Sequence, residues 1–137
     1  MKEMHCVKRI FLATMVFGLL LQGSVVIGEI ESLDGKSFLG QMGQQGSEKG
    51  NPDEFIFKEG KFRSIACNPY GFGDAPYTAS ANEDMMTFEA ETHSPTDGVM
   101  QWKGTVTGEK IEGTATWLKP GAAPVEYWFK AELKKQS

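Results

Sequence analysis

Val99-Met-Gln-Trp-Lys-Gly-Thr-Val106, Lys110-Ile-Glu-Gly-Thr-Ala-Thr-Trp117 and Val125-Glu-Tyr-Trp-Phe-Lys-Ala-Glu-Leu133 are the three runs that decide the fold class. Apolar and polar residues alternate along each run, and short turn-like segments separate the runs. Successive side chains of a β-strand point to opposite faces of a sheet, so this period of two indicates strands with one buried face. The rest of the chain after the N-terminal segment continues the pattern and predicts an all-β protein.

Five further strands are predicted ahead of these three, over Ser37–Gly43, Glu54–Lys58, Lys61–Cys67, Tyr77–Ala81 and Met85–Thr92. Gly43–Asp53 is rich in Gly and polar residues and is expected to be a mobile loop, and Asn68–Pro76 a turn-rich connection. The other connections are mostly short, which favours antiparallel neighbours in chain order. Eight such strands can close by pairing the first with the last. We therefore expect an eight-stranded antiparallel up-and-down barrel.

The alternation also predicts which side chains face the interior. Glu89 and Glu91 are expected on the polar face, and Trp128 falls out of phase with its neighbours and is expected to point outward. Gly104 and Gly113 on the inward face would either leave room for a ligand or permit sharp bends. The residues expected inside are Phe55, Phe57, Phe62, Met100, Trp102, Val106, Ile111, Ala115, Trp117, Val125, Tyr127, Phe129 and Leu133.

The N-terminus has the features of a secretory signal. Lys2, Lys8 and Arg9 form a basic region ahead of Ile10–Leu21, an apolar run of twelve residues broken only by Thr14. A membrane-spanning helix needs about 20 apolar residues, so a removed signal peptide fits better than an anchor.

Cleavage is predicted after Gly28, with Ser24 as the alternative site. Residues 1–28 would then be the signal peptide and residues 29–137 the mature β-barrel domain. An uncleaved anchor remains an alternative, because Val25–Ile27 extends the apolar run. An exported protein would reside in the periplasm or outside the cell, with no stable membrane insertion after cleavage.

The charge balance bears on the class of partner. The chain has 14 Lys and Arg against 18 Asp and Glu, a net charge of −4, and the predicted signal carries three of the basic residues and one acidic residue. The mature domain therefore has a net charge of −6, which argues against nucleic acid as a partner. Cys67 is its single cysteine, so an intramolecular disulfide is impossible and a buried thiol is expected.

Two resemblances follow from these residues. The stretches Phe62–Ala79 (FRSIACNPYGFGDAPYTA), Trp102–Thr114 (WKGTVTGEKIEGT) and Val125–Lys130 (VEYWFK) are similar to a family of small exported bacterial proteins of unknown function, over Leu33–Leu133. The meander with inward aromatics and glycines resembles the lipocalin-like, or calycin, β-barrels. That likeness implies a barrel that holds a small ligand.

Ligand binding is accordingly the first functional hypothesis. Loops at a barrel mouth often carry binding groups, and tyrosine offers an apolar body with a polar tip. The segment from Cys67 to Tyr77 would either bind a small apolar or amphipathic ligand or plug one end of the barrel with its aromatics. The predicted ligand-binding residues, from this segment and the inward faces, are Tyr70, Phe72, Tyr77, Trp102, Trp117 and Tyr127.

The second hypothesis is a structural or protein-interaction module with a filled barrel, acting through its outer face around Trp128. That indole would be exposed, or covered by the Gly43–Asp53 loop or by the N-terminal lead-in. No catalytic residue, cofactor or metal site is predicted, since His93 and Cys67 lack the paired spacing of metal ligands. Glu89 and Glu91 are interpreted as part of a solvated face, so the protein is expected not to be an enzyme.

Overall fold

The structure is a computed structural model that describes residues 32–135. The predicted signal peptide over residues 1–28, with both cleavage positions, lies outside the described residues. A 3₁₀ helix spans Ile65–Tyr70, and no helix in the described range is long and apolar enough to cross a membrane. The strands are β1 (Ser37–Gln44), β2 (Asn51–Lys58), β3 (Lys61–Ser64), β4 (Ala75–Asn82), β5 (Met85–Ser94), β6 (Gly98–Thr107), β7 (Lys110–Leu118) and β8 (Val125–Leu133).

The eight strands form a closed antiparallel barrel in chain order. Each strand pairs with its neighbours in sequence, and β1 pairs with β8 from Phe38 opposite Leu133 to Gln44 opposite Tyr127. Closure leaves the sheet without a free edge. The predicted eight-stranded up-and-down barrel is therefore confirmed.

The predicted start of β2 and the predicted end of β3 are each wrong by three residues. Strand β2 begins at Asn51 instead of Glu54, because residues up to Asn51 opposite Met42 pair with β1. Strand β3 ends at Ser64, and the 3₁₀ helix replaces the predicted strand through Cys67. Both differences come from long-range contacts with β1 and β2, which a local alternation pattern does not contain.

Aromatic rings fill the middle of the barrel. Trp102 lies with its ring centroid 4.9 Å from that of Phe62, and Phe55 lies 5.0 Å from Phe129. The expected inward faces of β2, β3, β6, β7 and β8 are confirmed, except that four residues towards the ends of β7 and β8 are only partly buried: Trp117, Val125, Tyr127 and Leu133. The fully buried rings are those of Phe38, Phe55, Phe57, Phe62, Phe88, Trp102 and Phe129.

The inward glycines of β6 and β7 make room for these rings. A Cβ on Gly104 would lie 2.6 Å from Cε1 of Phe88 and 2.9 Å from Cζ of Phe129. A Cβ on Gly113 would lie 2.8 Å from the same Phe129 atom. The space above these glycines is therefore occupied by aromatic side chains and offers no room to a ligand.

The N-terminal lead-in closes one end of the barrel. Leu33 is buried in the core, and the amide of Gly35 donates to the carbonyl of Phe57 at 2.8 Å. The hydroxyl of Tyr77 donates to Asp34 Oδ1 at 2.6 Å and accepts from the Leu33 amide at 2.9 Å. We call this the Leu33 end, and it is sealed by an apolar side chain with satisfied polar groups around it.

We expect Gly104→Ala to lower the free energy of unfolding by about 1–3 kcal/mol, because the added methyl overpacks the Phe88 and Phe129 rings. Gly73→Ala is the matched control: its Cβ would meet nothing within 4 Å. Its stability should be unchanged or raised by up to about 1 kcal/mol. Urea unfolding followed by tryptophan fluorescence measures both, and a Gly104→Ala variant as stable as the control would contradict the packing argument.

Candidate ligand-binding cavity

The end of the barrel opposite Leu33 holds a cavity of about 500 Å³. Its walls come from the last residues of β1 and β7, the first residues of β2, β6 and β8, and the 3₁₀ helix with the loop after it. We call it the end cavity. It is lined by Met42, Asn51, Ala66, Cys67, Tyr70, Phe72, Met100, Trp117 and Tyr127.

Four of the six predicted ligand-binding residues line this cavity. Tyr70 and Phe72 come from the 3₁₀ helix and the loop after it, whereas Trp117 and Tyr127 come from β7 and β8. Phe72 is 3% exposed and Tyr70 is 60% exposed. Of the segment from Cys67 to Tyr77, the part up to Phe72 thus plugs part of this barrel end and leaves part of it open.

Tyr77 and Trp102 lie apart from the end cavity. They and Tyr127 belong to one row of paired residues across β4 to β8. The strands of a closed barrel are tilted relative to the barrel axis, so a row of paired residues runs from one end of the barrel towards the other. Tyr77 is therefore at the Leu33 end, and Trp102 lies in the filled middle, where its indole N–H donates to Thr92 Oγ1 at 3.1 Å.

A buried carboxylate holds the start of the 3₁₀ helix. Asp53 is 6% exposed and accepts hydrogen bonds from Ser64 Oγ at 2.6 Å and from the Ala66 amide at 2.9 Å. Its Oδ1 also accepts from the Glu54 amide at 2.7 Å. These bonds turn the chain out of β3 and place Cys67 and Tyr70 over the cavity.

The hydroxyl of Ser94 holds the C-terminal end of the 3₁₀ helix. Ser94 Oγ donates to the carbonyl of Tyr70 at 2.7 Å and accepts from the Asp97 amide at 3.0 Å. Gly71 follows the helix at φ 93°, a left-handed conformation that favours glycine, and a Cβ there would lie 2.8 Å from Ser94 Oγ. The wall formed by the helix is thus anchored at both ends.

Trp117 is oriented by the turn between β5 and β6. Its indole N–H donates to the carbonyl of Asp97 at 2.6 Å. Lys119 Nζ lies 5.6 Å from the centre of the indole ring and 3.5 Å from Asp97 Oδ1. The indole is therefore held in one orientation at the cavity wall.

Two groups of the lining, the Cys67 thiol and the Tyr127 hydroxyl, are protonated at pH 7. Burial raises the pKa of the Cys67 thiol to about 11, in spite of the adjacent hydroxyl of Ser64. Burial, with Cys67 and Tyr70 nearby, also raises the pKa of Tyr127. A protonated thiol is a poor nucleophile, so this chemistry suits binding better than covalent catalysis. The predicted burial of Cys67 is confirmed at 8% exposure.

The polar candidates considered from sequence lie elsewhere. Glu89 and Glu91 are exposed on β5 as expected; Lys103 Nζ lies 4.0 Å from Glu89, and the amide of Gln101 donates to Glu91 at 3.1 Å. His93 is exposed, with Nε2 3.4 Å from Glu91. Residues 32–135 contain no group of three or more His, Cys, Asp or Glu placed to hold a metal ion.

Trp128 points outward but is covered in part. Its indole N–H donates to the carbonyl of Ser47 at 2.9 Å, in the loop between β1 and β2. A Cβ on Gly43 would lie 2.6 Å from the indole and one on Gly50 would lie 2.9 Å from it. The two glycines let the loop pack on the ring, as one of the sequence alternatives held.

Asp53 is the structural residue that the sequence analysis missed. The sequence predicts a loop over Gly43–Asp53, because this segment is rich in Gly and polar residues. Yet Asp53 is in phase with the inward Phe55 and Phe57, so extending the alternation two residues back would have placed it inside. Met42, Asn51, Ala66 and Met100 carried no signal that could link them to a site.

Comparison of the chain with known protein families, curated proteins and solved structures gives no match. The barrel agrees with the lipocalin-like resemblance in being a closed eight-stranded meander. Membership of that group, and of the family of small exported proteins, stays a prediction.

We expect Asp53→Ala to lower the free energy of unfolding by about 1–3 kcal/mol, because it leaves Ser64 and the Ala66 amide without their buried partner. Asp53→Asn should lose less stability, since the side-chain amide oxygen can still accept a hydrogen bond from the Ala66 amide. Urea unfolding at pH 7 measures both variants. Equal stability of Asp53→Ala and the wild type would contradict the anchoring role.

The same residue predicts a pH dependence. Burial raises the pKa of Asp53 above its ordinary 3.8, and the hydrogen bonds from Ser64, Ala66 and Glu54 offset part of that rise. Asp53 therefore binds a proton more readily in the folded protein than in the unfolded chain. The folded state is accordingly less stable with Asp53 ionised than with Asp53 protonated. The wild type should gain stability relative to Asp53→Asn as the pH falls through the raised pKa towards 3.8. The opposite trend would refute the burial argument.

Cys67 should react slowly with iodoacetamide. A pKa raised from 9.0 to about 11 reduces the thiolate fraction at pH 8 about a hundredfold, and burial slows the reaction further. We expect alkylation of the Cys67 peptide, followed by mass spectrometry, to be at least about a hundredfold faster in guanidinium chloride. Similar rates in both conditions would mean that the thiol is exposed.

Proposed function

We propose that the protein is an exported, non-catalytic, lipocalin-like barrel that binds one small apolar or amphipathic molecule in the end cavity. The observation that carries the proposal is the cavity itself, about 500 Å³ and lined mainly by aromatic and methionine side chains. Sites for small molecules commonly measure about 300–1,000 Å³ and have apolar walls with a few polar groups. The end cavity has both properties.

The walls of the cavity support binding because they are held in place. Asp53 and Ser94 anchor the two ends of the 3₁₀ helix, and the carbonyl of Asp97 orients Trp117. A site whose side chains are already ordered loses less conformational entropy on binding. This favours a ligand site over a loosely packed barrel end.

The alternative function, an interaction through the outer face around Trp128, has less support. The indole is already packed against the Ser47 loop, and Lys130 Nζ lies 5.4 Å from its ring centre. A hot-spot tryptophan supplies binding energy by burying its own surface against the partner. Trp128 has part of that surface covered within its own chain.

Export is the second part of the proposal and rests on the N-terminal signal pattern. The protein would act in the periplasm or outside the cell, where a carrier or sensor of an apolar compound meets its ligand in water. Its acidic surface fits neither nucleic acid nor an anionic membrane as a partner.

Native mass spectrometry of the protein purified from its own host tests the proposal first. We expect a retained small molecule at one copy per chain, or, for protein stripped of ligand, saturable one-to-one binding of the neutral dye N-phenyl-1-naphthylamine. The dye should gain fluorescence on entering the cavity.

Ala66→Phe and Ser80→Phe provide the matched pair of variants. The first places a ring in the cavity from the 3₁₀ helix, and the second places one on the exposed outer face of β4. Dye affinity should fall at least about tenfold in Ala66→Phe and stay unchanged in Ser80→Phe. Two outcomes would rule out the end cavity as a ligand site. One is a mass spectrum without a bound molecule together with no binding of the dye, and the other is equal dye affinity in the two variants.

A further inference from the structure

We propose that the end cavity selects an uncharged ring compound that carries a hydrogen-bond acceptor such as a carbonyl oxygen. This inference rests on the proposed function and names the class of its ligand. Fatty acids and quaternary ammonium compounds are the two charged classes that it excludes.

The charge of the surroundings is the first argument. The residues that line the cavity include no Asp, Glu, His, Lys or Arg. The nearest buried charge is the carboxylate of Asp53, which lies behind the wall and opposes ionisation of Cys67. A carboxylate ligand would therefore be desolvated near a like charge, and Lys119, the cation beside Trp117, is already paired with Asp97 Oδ1 at 3.5 Å.

A cationic ligand is disfavoured for a related reason. Asp53 already accepts from Ser64, Ala66 and Glu54, so its oxygens are engaged within the protein and leave no direct partner for an ammonium group of a ligand. The indole of Trp117 has the ammonium group of Lys119 5.6 Å from its ring centre. A second cation at this ring would meet a like charge.

Hydrogen-bonding capacity is the second argument. The hydroxyls of Tyr70 and Tyr127 make no hydrogen bond to any other described residue, although both residues line the cavity. Burial raises the pKa of Tyr127, so its hydroxyl remains a donor through neutral pH. A donor at a partly buried wall is satisfied by an acceptor atom on the ligand.

The ring partners of the aromatic residues are the third argument. Every aromatic ring of the filled middle lies beside another ring, for example Phe57 beside Phe88 at 5.0 Å. The rings of Phe72, Trp117 and Tyr127 pair with no other ring among residues 32–135. Aromatic rings gain energy from offset or edge contacts with a second ring, which a ring compound would supply. Met42 and Met100 can adapt to its outline.

A series of four naphthalenes tests the class. They share one ring system and differ in a single substituent: 2-acetonaphthone, 2-ethylnaphthalene, 2-naphthoate and 2-naphthyltrimethylammonium. Displacement of N-phenyl-1-naphthylamine at pH 7 gives their relative affinities. We expect 2-acetonaphthone to bind most tightly, and both charged compounds at least about tenfold more weakly than the ketone.

Tyr127→Phe and Tyr77→Phe separate the hydrogen bond from general packing. Tyr127→Phe should lower the affinity for 2-acetonaphthone about three- to tenfold and leave 2-ethylnaphthalene unchanged. Tyr77→Phe removes a phenol at the Leu33 end and should change neither affinity. Equal losses for the two compounds in Tyr127→Phe would refute the donor role.

The remaining outcomes distinguish this inference from the proposed function. If 2-naphthoate or the ammonium compound binds as tightly as the ketone, the ligand class is wrong and the cavity remains a binding site. If 2-ethylnaphthalene binds as tightly as 2-acetonaphthone, the acceptor requirement is wrong in the same way. If none of the naphthalenes and no dye binds, the proposed function fails as well.

Discussion

Pairing between the first and last strands is the constraint on which the rest of the structure depends. Once β1 and β8 are joined, the interior of an eight-stranded barrel is just wide enough for side chains to fill it. Seven buried aromatic rings occupy the middle, and Gly104 and Gly113 give two of them their space. Any volume left for a ligand must therefore lie at an end of the barrel.

The two ends are closed by different means, and this difference creates the site. At one end Leu33 enters the core and Asp34 binds the hydroxyl of Tyr77, so the chain seals the barrel completely. At the other end a short 3₁₀ helix covers only part of the opening. Because the helix is anchored by Asp53 and by Ser94, the space beside it persists as a cavity with defined walls.

Electrostatics then decide what kind of molecule suits that space. Among the described residues, Asp53 is the buried carboxylate at this end, and its three donors leave no oxygen free to pair with a cation in the cavity. Burial keeps the Cys67 thiol and the Tyr127 phenol protonated at neutral pH. What remains is an apolar wall with neutral hydrogen-bond donors.

Alternation along residues 37–133, together with the short connections, was enough to predict the number of strands, their order and most inward residues, because the two faces of a strand are a local property of the sequence. The 3₁₀ helix at Ile65–Tyr70 escaped prediction, since hydrogen bonds between segments eleven or more residues apart create its start. The inward carboxylate of Asp53 escaped prediction because the Gly-rich, polar segment ahead of Glu54 hides the alternation that continues through it.

By itself, then, the sequence determined an all-β barrel with an aromatic interior and a buried cysteine. Only the tertiary structure decided that Tyr70, Phe72, Trp117 and Tyr127 share one cavity while Tyr77 and Trp102 do not. The reason is the tilt of the strands: it places residues of one hydrogen-bonded row at different depths, and that tilt exists only after the barrel has closed.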